Sequence, residues 1–248
     1  MLTILIQATK ETETAGYRLN RWLSVGAGVG ILHAALDQEA AVNNSAVPGQ
    51  AGLADGKLKL DADDVGYNFN LGILVSPWSG TRFGLTYRSE VDLEFEDTAS
   101  LKNIGPVLQD QLSALGLADI DVKIDMTIPQ AVMFSAYHQL TDSLAVMGNI
   151  GWQEWSAFGK QDLTLRATTT TSFTKDLDYD DTWHFAMGAQ YRFAERWLWS
   201  VGAAYDTSPT DEDTRTPDLP LDRQIRIGTG IQYDWKDEES WLRYRPVR

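Results

Sequence analysis

Apolar and non-apolar residues alternate over long stretches of this chain. In residues 64–76, Val65, Tyr67, Phe69, Leu71, Ile73 and Val75 alternate with small or polar partners. Period two puts one set on each face of a β-strand. The next stretch repeats the pattern, with Phe83, Leu85, Tyr87, Val91, Leu93 and Phe95 set against Arg82, Gly84, Thr86, Arg88, Glu90, Asp92 and Glu94. Leu23–Ile31, Leu144–Trp152, Trp183–Phe193, Trp197–Tyr205 and Ile225–Tyr233 alternate in the same way. The pattern predicts about nine strands. Most run to ~10 residues or more, where strands of soluble domains are usually ~5–6.

The connections alternate in length. Asn20–Arg21, Pro77–Thr81, Thr141–Ser143 and Ala194–Arg196 are short, whereas 37–63, 97–121, 158–180 and 207–221 are long and polar. This predicts an all-β, antiparallel up-and-down meander forming one domain over 1–248, with short turns at one end and long loops at the other. Within 97–121, Leu108, Leu112 and Leu115 have helical spacing.

Such a meander can place its apolar face inward, as a soluble sandwich or lipid-binding barrel does. It can also turn that face outward to lipid around a polar interior, as an outer-membrane barrel does. Strand length favours the membrane, because a tilted strand crosses the hydrocarbon in about 9–11 residues. Gly, Ser, Asn and Gln on the other face suit a crowded or watery lumen. Tyr17, Trp22, Trp78, Trp197, Tyr233 and Trp235 lie by the short turns, with Trp152, Trp155, Trp183 and Tyr205 toward the long loops. Two aromatic belts suit the two membrane interfaces. The alternation predicts Val65, Phe69, Ile73, Phe83, Leu85, Tyr87, Phe185 and Tyr191 toward lipid. It predicts Arg82, Arg88, Glu90, Gln190, Arg226 and Gln232 toward the lumen.

Composition removes several classes. With 21 Lys+Arg against 35 Asp+Glu, the net charge is −14, the wrong sign for a nucleic-acid binder. There is no Cys, hence no disulfide framework, thiolate metal site or Cys nucleophile. No apolar run reaches the ~18 residues of a membrane helix, and Met1–Gln7 lacks the basic flank of a signal peptide. Gly26-Ala27-Gly28-Val29-Gly30 is followed by Ile31 and no helical pattern, so it is no phosphate loop. His33, His138 and His184 lack metal spacing. The clusters Asp61/Asp63/Asp64, Asp178/Asp180/Asp181 and Asp211/Glu212/Asp213 lack the Gly and terminal Glu of a Ca²⁺ loop. No catalytic residue, metal site or cofactor is predicted.

Several local runs carry a family resemblance. They are Tyr17-Arg18-Leu19-Asn20, Tyr67-Asn68-Phe69-Asn70-Leu71-Gly72, Leu85-Thr86-Tyr87-Arg88-Ser89-Glu90-Val91, Ile128-Pro129, Gly151-Trp152-Gln153-Glu154-Trp155-Ser156, Asp206-Thr207-Ser208-Pro209 and Pro217-Asp218-Leu219-Pro220-Leu221-Asp222-Arg223. In this order, over about residues 15–235, the chain resembles the FadL family, bacterial outer-membrane transporters of long-chain fatty acids and other hydrophobic compounds. The resemblance implies a transmembrane barrel in the bacterial outer membrane, in contact with lipid and lipopolysaccharide, taking a hydrophobic small molecule and no obligate protein partner. It implies a greasy capture groove between extracellular loops at 37–63 and 97–121, with Val107, Leu108, Leu112, Leu115 and Leu117 as apolar groups. It aligns Lys175 with a family lysine that holds the ligand carboxylate, whereas the accompanying arginine falls near Ala40. The family's N-terminal hatch, its kinked strand and its last strands have no counterpart here. The resemblance therefore implies an incomplete barrel, an open sheet with unpaired first and last strands. Two rivals stay open on the sequence: a soluble lipid-binding β-protein and a general porin with a polar, water-filled lumen.

Overall fold

The computed structural model describes residues 2–46, 52–114, 120–166, 170–211 and 221–235, and of 2–7 and 46 the backbone alone. The strands are β1 (Leu2–Arg18), β2 (Leu23–Val42), β3 (Gly56–Val75), β4 (Thr81–Arg88), β5 (Val91–Lys102), β6 (Ile120–Ile128), β7 (Ala131–Gln139), β8 (Leu144–Gln153), β9 (Lys160–Arg166), β10 (Thr170–Asp176), β11 (Thr182–Ala194), β12 (Trp197–Asp206) and β13 (Gln224–Tyr233). Helix α1 (Pro106–Ala114) and the single turn α2 (Trp155–Phe158) lie between them. Among the described residues there are thirteen strands, more than the expected number of about nine. Among the stretches read as loops, 160–166 and 170–176 form β9 and β10, while 37–42 and 56–63 extend β2 and β3 and 97–102 extends β5; β1 and the division of 82–95 into β4 and β5 add further strands. The outward positions of the stretches read as loops are polar, so hydropathy alone left them looking like loop.

Nine strands, β1-β2-β3-β4-β7-β8-β11-β12-β13, pair in that order as an antiparallel wall. Among the described residues the outer edges of β1 and β13 are unpaired and the sheet is unclosed. The short turns are locked locally. Asn20 Oδ1 accepts from the N–H groups of Trp22 and Leu23 at 2.9 and 2.8 Å, and Thr141 Oγ1 does the same for Ser143 and Leu144. Gly80 takes a φ of +79°, a left-handed conformation that suits glycine.

At the opposite end β2 and β3 run for 20 residues each, roughly twice what a tilted membrane crossing needs. Their upper halves join β5, β6, β9 and β10 in a second region, the crown, with the pairing order β3-β5-β6-β9-β10. The hydrophobic core sits here. Leu32, Ala34, Leu36 and Ala62 from the concave side of β2 and β3 meet Val91, Leu93 and Phe95 of β5, with Ile124 and Ile128 of β6 against them. Gly66 lets β5 cross this closely, since a Cβ there would fall 2.1 Å from Val91 Cγ1.

Candidate functional site

The wall has no such core. One row of directly opposed residues runs Ile73, Leu85, Phe134, Ile150, Phe185, Tyr205 and Ile225 across seven strands. All seven are exposed, at 39–74 %. A contiguous exposed apolar surface of this kind is foreign to a soluble monomer, which removes the soluble lipid-binding rival. Val65, Phe69 and Tyr191 are likewise exposed, and Phe83 and Tyr87 half-exposed, on the same convex side.

The concave side carries the alternate set, mostly Gly, Ala, Ser, Thr and Asn. It holds two open cavities. The upper, of about 710 Å³, is bordered by Asn70, Arg88, Met133, Gln153, His184 and Asp206. The lower, of about 800 Å³, is bordered by Arg82, Tyr137, Met147, Asn149 and Arg226 over a floor of Gly84, Gly188, Gly202 and Gly228. Arg82 lies over the Tyr137 ring, 4.5 Å from its centroid, a cation–π contact that fixes the guanidinium. Gln190 Nε2 donates to Ser200 Oγ at 3.4 Å, and Gln232 opposes Leu198 in the same set of rows. Asp206 accepts from His184 Nδ1 at 2.6 Å and from Arg226.

Glu90 departs from the expectation of a lumen position. It stands exposed in the two-residue break between β4 and β5. Ser89 makes this break. Its N–H donates to the Phe69 carbonyl, and its Oγ accepts from the Phe69 N–H at 3.0 Å. Beyond it the chain turns over β3, so that Val91, Leu93 and Phe95 are buried although Leu85, on the same parity, faces outward.

The two crown loops expected to form a capture groove do meet, through a residue that alternation could not reveal. Asn44 is 1 % exposed. Its Nδ2 donates to the carbonyls of Ala54 and Asn103 at 2.7 and 2.8 Å, and its Oδ1 accepts from the Gly105 N–H at 3.0 Å. Helix α1 begins at Pro106, directly after this clasp. Leu108 and Leu112 are half-buried on one side of it and Val107 is exposed; Leu115 and Leu117 lie outside the described residues. Lys175 is exposed on β10 opposite Gln161, at the end of the crown away from α1. It shares its face with Phe173, opposite Leu163, which opposes Ile124 beside the core. The structure thus sets Lys175 apart from the leucines of α1. Among the described residues no group of three or more His, Asp or Glu side chains is placed to hold a metal ion.

The model of the family described as outer membrane protein transport protein (OMPP1/FadL/TodX) matches residues 3–241. The chain belongs to this family of outer-membrane transport proteins. A long-chain fatty acid transport protein of Salmonella typhi is 27 % identical over 243 residues, covering 92 % of this chain and 55 % of that protein. The chain therefore spans about half the length of such curated relatives. Among solved structures, a Pseudomonas aeruginosa FadL homologue superposes with a TM-score of 0.77 at 22 % identity, over 95 % of this chain and 57 % of that one. The monoaromatic hydrocarbon channel CymD superposes with a TM-score of 0.64 at 17 % identity, over 94 % and 66 %. These likenesses establish the FadL fold, and the family places the wall in the bacterial outer membrane.

Proposed function

We propose that the intact protein moves long-chain fatty acids or other hydrophobic small molecules across the outer membrane by diffusion, without chemical conversion and without a bound cofactor. The observation that carries this reading is the inversion of the wall: apolar side chains outward, and small residues lining open cavities inward. A ligand leaving lipid or lipopolysaccharide would meet the crown first. The loops clasped by Asn44, with Val107, Leu108 and Leu112 of α1, would offer it an apolar resting place. Lys175, on the core-bearing face of the crown, would attract a carboxylate by a charge-assisted hydrogen bond.

The test is uptake by cells lacking their own transporter and expressing the intact protein, with palmitate, toluene and a small sugar offered in parallel. Uptake of palmitate or toluene, but not of the sugar, is expected. Lys175→Ala should lower palmitate uptake and spare toluene. Passage of the sugar alone would favour the general-porin reading and contradict this one.

A further inference from the structure

The convex side of the wall is not evenly covered. The row of Leu85, Phe134 and Ile150 is bulky throughout. In the neighbouring row toward the short turns, Phe83 opposes Ala136, which opposes Gly148. Phe83 stacks on Phe134, with ring centroids 6.1 Å apart and planes 16° from parallel, so its ring sides with the bulky row. What remains is a notch of about 350 Å³, floored by Ala136 and Gly148 and walled by Trp78, Phe83 and Val146.

The lower end of the notch is polar. One row nearer the short turns, Thr81 opposes His138, which opposes Val146. Thr81 is 3 % exposed, and its Oγ1 lies 2.7 Å from His138 Nδ1. In the tautomer in which the Thr81 hydroxyl donates to Nδ1, Nε2 carries the ring hydrogen. His138 is exposed, and its Nε2 has no partner among the described residues. The notch lies at the margin of the lipid-facing surface. Thr81 is the first residue of β4, His138 the last but one of β7, and Trp78 stands exposed in the turn before β4. In outer-membrane barrels short turns face the periplasm, and aromatic rings mark the headgroup level.

We infer that the notch binds one phospholipid of the periplasmic leaflet, with an acyl chain on Ala136 and Gly148 and its phosphodiester accepting from His138 Nε2. The occupant follows from continuity with the lipid-facing rows around the notch, and from the acceptor that such a lipid brings to the free ring nitrogen. A hydrogen bond to a charged oxygen is stronger than one between neutral groups, so this lipid is retained where its neighbours exchange. The inference rests on the outer-membrane assignment and is independent of what passes through the lumen.

The test is retention of dioleoyl phosphatidylethanolamine and of dioleoylglycerol by the intact protein in detergent micelles, counted per protein by native mass spectrometry. Wild type should retain one phosphatidylethanolamine more than Ala136→Phe, which fills the notch with a side chain that lipid tolerates. Gly148 is left unchanged, since a Cβ there would stand 3.0 Å from the Ala186 carbonyl oxygen. Val146→Phe, closing the notch from its other side, should repeat the loss and serves where Ala136→Phe fails to fold. His138→Ala should weaken phosphatidylethanolamine about tenfold and leave dioleoylglycerol unchanged, and inorganic phosphate should not displace the lipid. Retention by the filled variants equal to that of wild type would overturn the site. Equal weakening of both lipids by His138→Ala would overturn the headgroup bond, and displacement by inorganic phosphate would overturn the lipid assignment.

Discussion

The wall and the crown share β2 and β3 and the same alternation, yet they use it in opposite senses. In β2 and β3 the change is visible within single strands. Outward pairs near the short turns are Val25 with Ile73 and Val29 with Phe69, whereas farther up they become Asp37 with Asp61 and Glu39 with Lys59. Inward pairs change at the same level from Gly26 with Gly72 and Gly28 with Asn70 to Leu36 with Ala62. The periodicity survives and the solvent on each side is exchanged. Below the change lipid covers the apolar face. Above it water does not tolerate that face, and β5 must cross over to bury it. The level of the swap marks where the hydrocarbon ends.

Truncation should expose the contrast most strongly. Phe95 is fully buried in the crown at 0 % exposure, so Phe95→Ala should destabilise the crown by about 3–5 kcal/mol through lost burial and a cavity. Leu85→Ala, on the lipid-facing row, should cost far less because lipid can fill the gap. Denaturant unfolding of the protein in vesicles compares the two, and equal losses would break the distinction. Next in size is the cost of charge. Phe134→Arg should lower wall stability by roughly 2–4 kcal/mol, whereas Ser135→Arg, one residue away on the lumen side, should cost little. Folding into vesicles of matched thickness measures both.

The smallest effect concerns ions on the outer side of the crown. Lys123 Nζ sits 2.8 Å from Glu94 and 3.3 Å from Asp125, and the hydrogen bond to Glu94 first, despite some desolvation, raises its pKa above the ordinary lysine value. A raised lysine pKa means that the contribution is fully present below the ordinary value and is lost as pH rises through the folded one. The crown should therefore loosen slightly on titration above the ordinary lysine range, an effect that Glu94→Gln should reduce. Crown-specific hydrogen exchange as a function of pH reports it.

How much of this was legible follows from the same physics. The wall strands that alternate against lipid could be read directly, because a one-residue slip would put charge into hydrocarbon. β1 could not. Its outward positions Thr9, Glu11 and Glu13 alternate with Lys10, Thr12 and Thr14, so it has no apolar face there and shows itself only through pairing with β2. The swap at Ser89–Glu90 was hidden because a two-residue break preserves parity, and 82–95 therefore looked like one strand. Asn44 acts through loop carbonyls that no periodicity encodes. Lys175 could be singled out only by resemblance.

The inversion itself can be measured along one run of residues. The chain has no Cys, so single cysteines carrying a spin label can be placed at Phe83, Leu85, Tyr87, Leu93 and Phe95, with Thr86 and Glu94 as neighbours of opposite parity. In lipid vesicles, power saturation with oxygen and with a water-soluble nickel chelate separates lipid, water and buried environments. Phe83, Leu85 and Tyr87 should report lipid, Leu93 and Phe95 a dry interior closed to both reagents, Thr86 the lumen and Glu94 water. Lipid exposure at all five odd positions, or burial at all five, would contradict the account.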